Sequence, residues 1–434
     1  MKKTLIKLFI ICLLFPVYLH AQESKLHSYS FGEGMTFTDG KDYKIDLDGF
    51  VQPAYEGTLF QDPNHKDVFN RFRLRRLNMK LSGDVDHKKI EYGLQIDLSG
   101  TSETGNASSS ILMDAWVAYN VNKQLQITFG QRSTPTDNRE LMMGSQSLQL
   151  VERSKVTSAF ATIREFGLFL DGTYKIGRMS YLKPYLNVTN GDGINVSLKD
   201  HGGLKFGGRL DYLPFGLFAN FGQSREADIV REQSPKLVIG CNYSYNVGVS
   251  SREGGTSGSI LYLDSLGRES LPNFTKYGLD FVFKYRGFSA IGEFVQTSAT
   301  VPTSITQRVR TDGTTATTFL VYGVQDVPNY VKDRMMLGKG YNIQLGYVFK
   351  NRFSVDARYT HLEADTYSFL NNGTFYNRPD YYTVGLSKYM GRGYGFKIQG
   401  SLTYVVAKPG SNDFAGTPIT GNQWIMDVIT SISF

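Results

Sequence analysis

The chain has 434 residues, of which 41% are hydrophobic and 20% charged, and its formal net charge is +7 at pH 7. After residue 21, nothing approaches the ~18 consecutive apolar residues of a transmembrane helix, which excludes a helical membrane protein. Cys241 is the only cysteine in that part of the chain, which excludes an internal disulfide. The 27 Tyr, 29 Phe and 45 Gly are many for a soluble protein and are typical of a membrane β-barrel.

The first residues have the pattern of a secretory signal. Lys2, Lys3 and Lys7 surround the start of the apolar run Leu8–Tyr18, and Ala21 suits a cleavage site. We therefore expect a signal peptide over 1–21, a periplasmic or loosely ordered segment over 22–43, and an outer-membrane barrel over 44–434. Removal of three lysines lowers the net charge from +7 to +4. This mild charge permits attraction of anions, and we expect no nucleic-acid partner.

From about residue 44 to the C-terminus, apolar and polar residues alternate. The clearest run is Lys89–Ser99, in which Ile90, Tyr92, Leu94 and the following even positions are apolar. Such a period predicts a strand, and the length suits a tilted crossing of a bilayer. Further strands are predicted at residues 44–56, 77–82, 111–121, 124–132, 164–174, 180–189, 204–213, 236–247, 277–285, 287–296, 341–349, 353–360, 380–389, 395–405 and 423–434.

Connections between these runs alternate between short and long. The short ones are 122–123, 286–287, 350–352 and 390–394, and the long ones include 57–70, 100–110, 248–276, 297–339, 361–379 and 406–422. This segregation is typical of an outer-membrane barrel. The predicted fold is an all-β, transmembrane antiparallel β-barrel of about 16 strands. The alternative is about 18 strands, because 217–223, 258–264 and 318–325 could add some.

Several short motifs in the N-terminal half occur in a fixed order. They are Phe72–Gly83, Met113–Tyr119, Thr128–Pro135, Leu150–Ser154 and Arg164–Leu168, with later echoes at Asn187–Gly191 and Gly207–Leu210. Together they resemble the phosphate-selective porin O and P family, of a type found in the Bacteroidota. The C-terminal half resembles only a barrel in general. The resemblance implies an outer-membrane channel, commonly a homotrimer, in which a loop over Ser133–Ile163 folds inward and narrows the lumen.

Basic residues in and after the matching region are the candidates for anion binding and pore lining. An anion channel needs cations along its lumen, spaced so that an ion passes from one to the next. The predicted set is Arg76, Lys80, Arg132, Arg139, Arg153, Lys183 and Arg209. For Arg139 and Arg153 the alternative is pairing with Glu140 and Glu152, which would only fix the loop.

The alternation changes phase at Arg75 and Arg76. Downstream the polar positions are even, whereas Arg71, Arg73 and Arg75 are odd. One strand cannot turn both sets to one lumen without a bulge. Either a bulge lies there, or residues 71–75 lie above the membrane. In the second case Arg71 and Arg73 would meet lipopolysaccharide phosphates at the rim.

The function predicted from these features is passive diffusion of small anions, phosphate or polyphosphate among them, through the outer membrane. One alternative is a general non-selective porin, because acidic residues such as Asp46, Glu91 and Asp171 also fall on the polar faces. Another is a barrel with an interaction or receptor role in long loops such as 297–339. We find no metal-ligand spacing, nucleophile motif or phosphate-cradling loop. We therefore expect no enzyme activity, no cofactor and no metal.

Overall fold

The computed structural model describes residues 26–39, 42–62, 69–100, 111–193, 201–254, 259–391 and 393–434. The expected signal peptide, 1–21, lies outside these residues. Sixteen antiparallel strands close into one barrel, as the alternation predicts. Among the described residues, the structure has no helix whose length and apolar character would allow it to span a membrane.

The barrel strands neighbour one another in chain order, so every connection is a hairpin. The first eight are β1 (Tyr43–Phe60), β2 (Phe69–Val85), β3 (Ile90–Asp97), β4 (Leu112–Asn120), β5 (Leu125–Ser133), β6 (Arg164–Gly172), β7 (Tyr181–Thr189) and β8 (Lys205–Leu213). The second eight are β9 (Lys236–Asn246), β10 (Asn273–Tyr285), β11 (Phe288–Thr300), β12 (Gly338–Val348), β13 (Phe353–Ala364), β14 (Asp380–Met390), β15 (Phe396–Val406) and β16 (Gln423–Ser433).

Each strand turns its apolar side chains outward and its polar side chains inward. On β14, Tyr382, Val384 and Leu386 are exposed on the outside, whereas Thr383 and Ser387 are buried inside. A soluble sheet would bury its apolar face, but here that face forms the outer surface, as lipid contact requires. The polar lumen is therefore where functional side chains lie.

The barrel closes between β16 and β1. The amide and carbonyl groups of Phe434 and Gly49 exchange two hydrogen bonds of 2.9 Å. A Cβ atom at residue 49 would lie 3.0 Å from the Phe434 ring, so glycine permits this close contact. Leu26–Ser30 and Gly34–Thr38 form a hairpin at the short-turn end of the barrel. The strand Gly34–Thr38 pairs with the first residues of β1, beyond the point where β16 ends.

The three segments that could have added strands do not enter the barrel. Residues 217–223 overlap a short 3-10 helix, Ala219–Ser224. Within 258–264 only Tyr262–Leu263 is a strand, and it belongs to a small sheet with Gln307–Val309 and Thr315–Ala316. Within 318–325, Leu320–Val321 and Val324–Gln325 form an isolated hairpin. The alternative of eighteen strands is therefore wrong.

A β-bulge resolves the change of phase on β2. Gln52 of β1 pairs with Arg76, and the next residue, Pro53, pairs with Leu74, so Arg75 is the extra residue. Both Arg75 and Arg76 are buried on the lumen side. Proline lacks the amide hydrogen that a regular ladder would use, and it is tolerated at bulges. The bulge is confirmed, and it brings two adjacent arginines to one face.

The bulge makes a deletion experiment informative. Deletion of Arg75 is expected to leave an assembled barrel, because Arg73, Leu74 and Arg76 then alternate regularly. Deletion of Leu77 also removes the bulge but moves Arg76 to the lipid face, at a cost of ~2–4 kcal/mol near the midplane. The readout is the heat-modifiable migration of the folded barrel in detergent gels. Equal assembly of the two deletion variants would contradict this account of the bulge.

Candidate functional site

Residues 134–163, between β5 and β6, run through the lumen. They contain two 3-10 turns, Arg139–Met142 and Ser145–Ser147, and the one-and-a-half-turn helix α1, Lys155–Phe160. Ser154 caps α1 by accepting a hydrogen bond from the Thr157 amide. We call residues 134–163 the inner segment. Its position agrees with the inward-folded loop that the family resemblance implies.

Polar contacts hold the inner segment against the β14–β15 wall. Lys397 donates to the Leu148 carbonyl at 2.7 Å, and Gln399 donates to the Gln149 carbonyl at 2.7 Å. Ser387 donates to the same Gln149 carbonyl at 3.1 Å. These bonds satisfy backbone groups that would otherwise be buried without partners. They fix the middle of the inner segment against one side of the barrel.

A buried ion cluster holds the start of the inner segment against the opposite wall. Arg139 donates to Asp211 on β8 at 2.7 and 2.9 Å and to Asp280 on β10 at 2.7 Å. Arg209 pairs with the same carboxylates at 2.8 and 2.5 Å. The four side chains are almost completely buried. We call them the Arg139 cluster.

Asp137 adds a second anchor beside the Arg139 cluster. It forms an ion pair with Lys276 and accepts a hydrogen bond from the Thr162 amide at 2.8 Å. Burial alone would raise the pKa of the Asp137 carboxyl, but the charges of Lys276 and Lys205 more than offset this and lower it to about 2. Asp137 therefore stays ionised at any physiological pH.

The two bulge arginines contact the inner segment through one carboxylate. Glu152 accepts hydrogen bonds from Arg75 at 2.8 Å and from Arg76 at 3.1 Å. Arg73 lies 3.5 Å from the same carboxylate. Burial would raise the pKa of Glu152, but Arg75 and Arg76 hold it well below its usual range. We call this contact between the β2 wall and the inner segment the Glu152 bridge.

The Glu152 bridge separates two cavities in the lumen. Along β2, Arg71 and Arg73 line a cavity of about 270 Å³ at the long-loop end. Asn78 and Lys80 line a cavity of about 810 Å³ at the short-turn end. Arg75 and Arg76 lie between them. Because long loops are extracellular in such barrels, we call these the outer and the inner cavity.

The outer cavity is rich in cations. Its basic lining residues are Arg71, Arg73, Arg153, Lys155, Arg358 and Arg378, and its acidic ones are Glu56, Glu152 and Asp427. Arg71 and Arg73 pair with Glu56 at 3.0 and 2.9 Å. Lys155 and Arg378 have no carboxylate partner within ion-pair distance among the described residues. No carboxylate within ion-pair distance therefore offsets their positive charges in that part of the chain.

Three of the sequence-predicted site residues lie at the two cavities or at the bridge between them. Arg76 is part of the Glu152 bridge, and Lys80 is exposed in the inner cavity, opposite Asp48 in the β1–β2 register. Arg153 lines the outer cavity. It also donates to the Glu140 and Met143 carbonyls, so it braces the inner segment.

The other four lie away from both cavities. Arg132 pairs with Asp171 at 2.8 Å and lies over the Phe169 ring. Lys183 lies over the Tyr185 ring near the short-turn end of β7. Arg139 and Arg209 are members of the Arg139 cluster, and Arg139 does not pair with Glu140.

Sequence reasoning missed three cations of the outer cavity. Lys155 was among the basic residues of the matching region but carried no signal that set it apart. Arg358 lies on β13 between Asp356 and Thr360, all inward-facing, so the alternation could have identified it. Arg378 lies in a long loop, where no periodicity gives the direction of a side chain.

The inner cavity has a floor that the loop pattern did not predict. Residues 214–235 connect β8 and β9 at the short-turn end, and Phe221, Ser224 and Arg225 line the cavity. Glu226 accepts hydrogen bonds from the Gln149 amide at 2.7 Å and from Gln344 on β12 at 2.9 Å. This connection therefore supports the inner segment from below.

The part of the chain that contains the short motifs was compared with known protein families. Residues 52–210 match the phosphate-selective porin O and P family. The resemblance deduced from the short motifs is therefore confirmed, and the match includes the bulge, the inner segment and all seven predicted site residues. A comparison with curated proteins gives no match.

Three solved structures of bacterial outer-membrane proteins are similar to this chain. OprB of Pseudomonas putida, in a high-pH structure, has a TM-score of 0.51 at 11% identity and covers 91% of this chain and 95% of that chain. The outer-membrane channel DcaP of Acinetobacter baumannii has a TM-score of 0.49 at 11% identity, over 92% of this chain and 99% of that chain. OmpT of Vibrio cholerae, in a trimer form, has a TM-score of 0.49 at 8% identity, over 91% of this chain and 100% of that chain.

The matched porin family and the barrel support an outer-membrane channel. Among the described residues, no group of three or more His, Cys, Asp or Glu side chains is placed to hold a metal ion.

Proposed function

We propose that the protein is a diffusion channel for small anions, with phosphate as the first candidate. The strongest support is the set of charged side chains that line the lumen on both sides of the Glu152 bridge. Cations outnumber carboxylates around the outer cavity, and two of them, Lys155 and Arg378, have no close carboxylate among the described residues. An excess of fixed positive charge in a narrow lumen concentrates anions and repels cations.

The succession of cations along β2 supports the same proposal. Arg71 and Arg73 line the outer cavity, Arg75 and Arg76 form the bridge, and Lys80 lines the inner cavity. An anion can exchange one contact for the next along such a row without being held too tightly. A planar guanidinium matches phosphate oxygens in pairs, whereas lysine offers a point charge.

The seven sequence-predicted residues divide into groups under this proposal. Arg76, Lys80 and Arg153 would meet the passing ion directly. Lys183 would add to the positive field of the lumen, whereas the charge of Arg132 is offset by Asp171. Arg139 and Arg209 would act indirectly, because their cluster holds the inner segment. Three expectations stay predictions: export by a cleaved signal peptide at 1–21, contact of the rim arginines with lipopolysaccharide, and the homotrimer that the family resemblance implies.

One observation favours the alternative of a general porin. Several lumen cations are already paired, such as Arg132 with Asp171 and Arg164 with Asp114, both at 2.7–2.8 Å. Paired charges set a transverse field but add little net selectivity. The alternative therefore predicts a weak reversal potential, whereas the anion channel predicts a strong one.

A bilayer measurement tests the proposal. The purified protein is inserted in a planar bilayer under a KCl gradient, and phosphate is then added to one side. We expect an anion-signed reversal potential and a phosphate block of the chloride current at low concentration. Lys155→Glu should shift the potential toward cations, because it reverses an unpaired charge on the path.

Lys350→Glu is the matched control, since it makes the same charge change in a short turn that lines neither cavity. A weak or cation-signed potential in the unmodified protein would contradict the anion proposal and favour a general porin. The absence of any conductance would contradict the channel itself.

A further inference from the structure

The outer cavity has an apolar wall that a bare inorganic anion does not need. Phe60, Phe375, Phe414 and Ile425 line it together with the cations. Phe375 and Phe414 remain 41% and 53% exposed, although the cavity they line lies inside the barrel mouth. Aromatic side chains beside a few convergent polar groups are typical of sites for organic ligands. The volume, about 270 Å³, is close to the lower limit of ~300 Å³ for small-molecule sites.

The polar end of the cavity has donors without partners. Lys155 lies 5.9 Å from the centre of the Tyr381 ring and makes no hydrogen bond among the described residues. The Tyr381 hydroxyl is buried and has no hydrogen-bond partner in that part of the chain. A buried hydroxyl without a partner costs free energy, which a ligand oxygen would recover.

Arg378 completes this end of the cavity. Its guanidinium donates to the carbonyls of Gly373 at 2.7 Å, Thr374 at 3.2 Å and Asn412 at 2.6 Å, and its other N–H groups face the side-chain oxygen of Gln423. These neutral acceptors hold the guanidinium in place without cancelling its charge. The Lys155 ammonium and the Tyr381 hydroxyl are therefore the donors for one acid group, and Arg378 adds positive charge beside them.

Asp427 limits what else the ligand can carry. It lies on β16, is largely buried, and has no ion-pair partner within 4.0 Å among the described residues. A second acid group on the ligand would lie beside this buried carboxyl group and find no cation there. The cavity therefore favours a single acid group with an uncharged body.

We propose that the outer cavity binds an organic anion with one acid group and an aromatic or similarly apolar body. The acid group contacts Lys155 and the Tyr381 hydroxyl beside the positive charge of Arg378, and the body packs against Phe375 and Phe414. This inference rests on the proposed anion channel and narrows its substrate class. It makes inorganic phosphate a weaker ligand than a ring-bearing phosphate or carboxylate of similar charge.

Block of the chloride current by matched pairs of anions tests the proposal. The pairs are phenyl phosphate with inorganic phosphate, and benzoate with acetate. We expect each ring-bearing anion to block at about tenfold lower concentration than its partner, a difference of about 1.4 kcal/mol. The ratio between phenyl phosphate and benzoate then shows which acid group is preferred. Equal block within both pairs would overturn the inference.

The double variant Phe375→Ala/Phe414→Ala isolates the apolar wall. It should bring the two members of each pair to nearly equal block and leave the sign of the reversal potential unchanged. Tyr322→Ala removes a loop aromatic that is still more exposed, at 92%, and does not line the cavity, and it should preserve the preference. A preference that survives in the double variant would contradict the assigned wall.

Calorimetry separates this inference from the proposed function. Phenyl phosphate is titrated into the detergent-solubilised protein and into Lys155→Gln. Binding that weakens in the variant supports the site even where the reversal potential is cation-signed. An anion-signed potential without measurable binding of phenyl phosphate at millimolar concentration overturns the site and leaves the anion channel standing.

Discussion

Replacement of Glu152 by glutamine is expected to let phosphate block the chloride current at about tenfold lower concentration. In the unmodified protein the Glu152 carboxylate occupies Arg75 and Arg76 at 2.8 and 3.1 Å, so an arriving anion must compete with it. Glutamine keeps the shape and removes the charge. Unit charges 4 Å apart interact by about 1 kcal/mol in water and about 4 kcal/mol near a protein surface. A tenfold change needs only about 1.4 kcal/mol.

Glu363→Gln is the control for this experiment. Glu363 forms an exposed pair with Lys339 at 3.2 Å, and it lines neither cavity. Loss of such an exposed pair is worth ~1 kcal/mol or less and should leave the block unchanged. Unchanged phosphate block in an assembled Glu152→Gln channel would show that the bridge does not compete with the passing ion.

Acid should not reproduce the effect of Glu152→Gln. The two arginines hold the pKa of Glu152 below its usual range, so the carboxylate stays ionised where an ordinary glutamate, with a pKa of about 4.3, is half protonated. The bridge is therefore present above its lowered pKa and would be lost only as pH falls through it. At pH 4.5 and constant phosphate charge, we expect phosphate to block the unmodified protein no more strongly than at neutral pH. A stronger block, approaching that of the Glu152→Gln variant, would contradict the lowered pKa of Glu152.

The wall of the barrel could be predicted from the sequence because its signal is local. Alternation of period 2 identifies a strand and also gives the direction of every side chain in it. The change of phase at Arg75 and Arg76 lies at the observed bulge, which was one of the two alternatives that the sequence left open. Closure followed from the requirement that no strand edge remain unpaired in lipid.

The contacts inside the lumen could not be predicted in this way. Arg139 pairs with Asp211 and Asp280, which lie 72 and 141 positions away, whereas sequence proximity suggested Glu140. Residues 217–223 suggested a strand because they include several apolar residues. In the structure they belong to the floor of the inner cavity. Non-alternating segments have no fixed side-chain direction, so Arg378 gave no indication of its place.

Replacement of Arg139 by methionine is expected to destabilise the folded barrel by about 3–5 kcal/mol, the usual cost of breaking a buried ion pair. Asp211 and Asp280 would keep only Arg209 as a partner, leaving one buried carboxylate uncompensated. The measurement is the denaturant midpoint of unfolding in lipid vesicles. Arg71→Met is the control, because its pair with Glu56 is 45% exposed on the arginine side and should cost ~1 kcal/mol or less.

The Arg139→Met variant should also change conduction, although Arg139 lines neither cavity. Loss of the Arg139 cluster frees the start of the inner segment, so the current should become noisier and the phosphate block weaker. Adding Asp280→Asn removes the surplus carboxylate and should recover part of the stability. The anchor to the wall remains broken, so the noise should persist. A double variant no more stable than Arg139→Met would show that the cost comes from lost packing rather than from a buried unpaired charge.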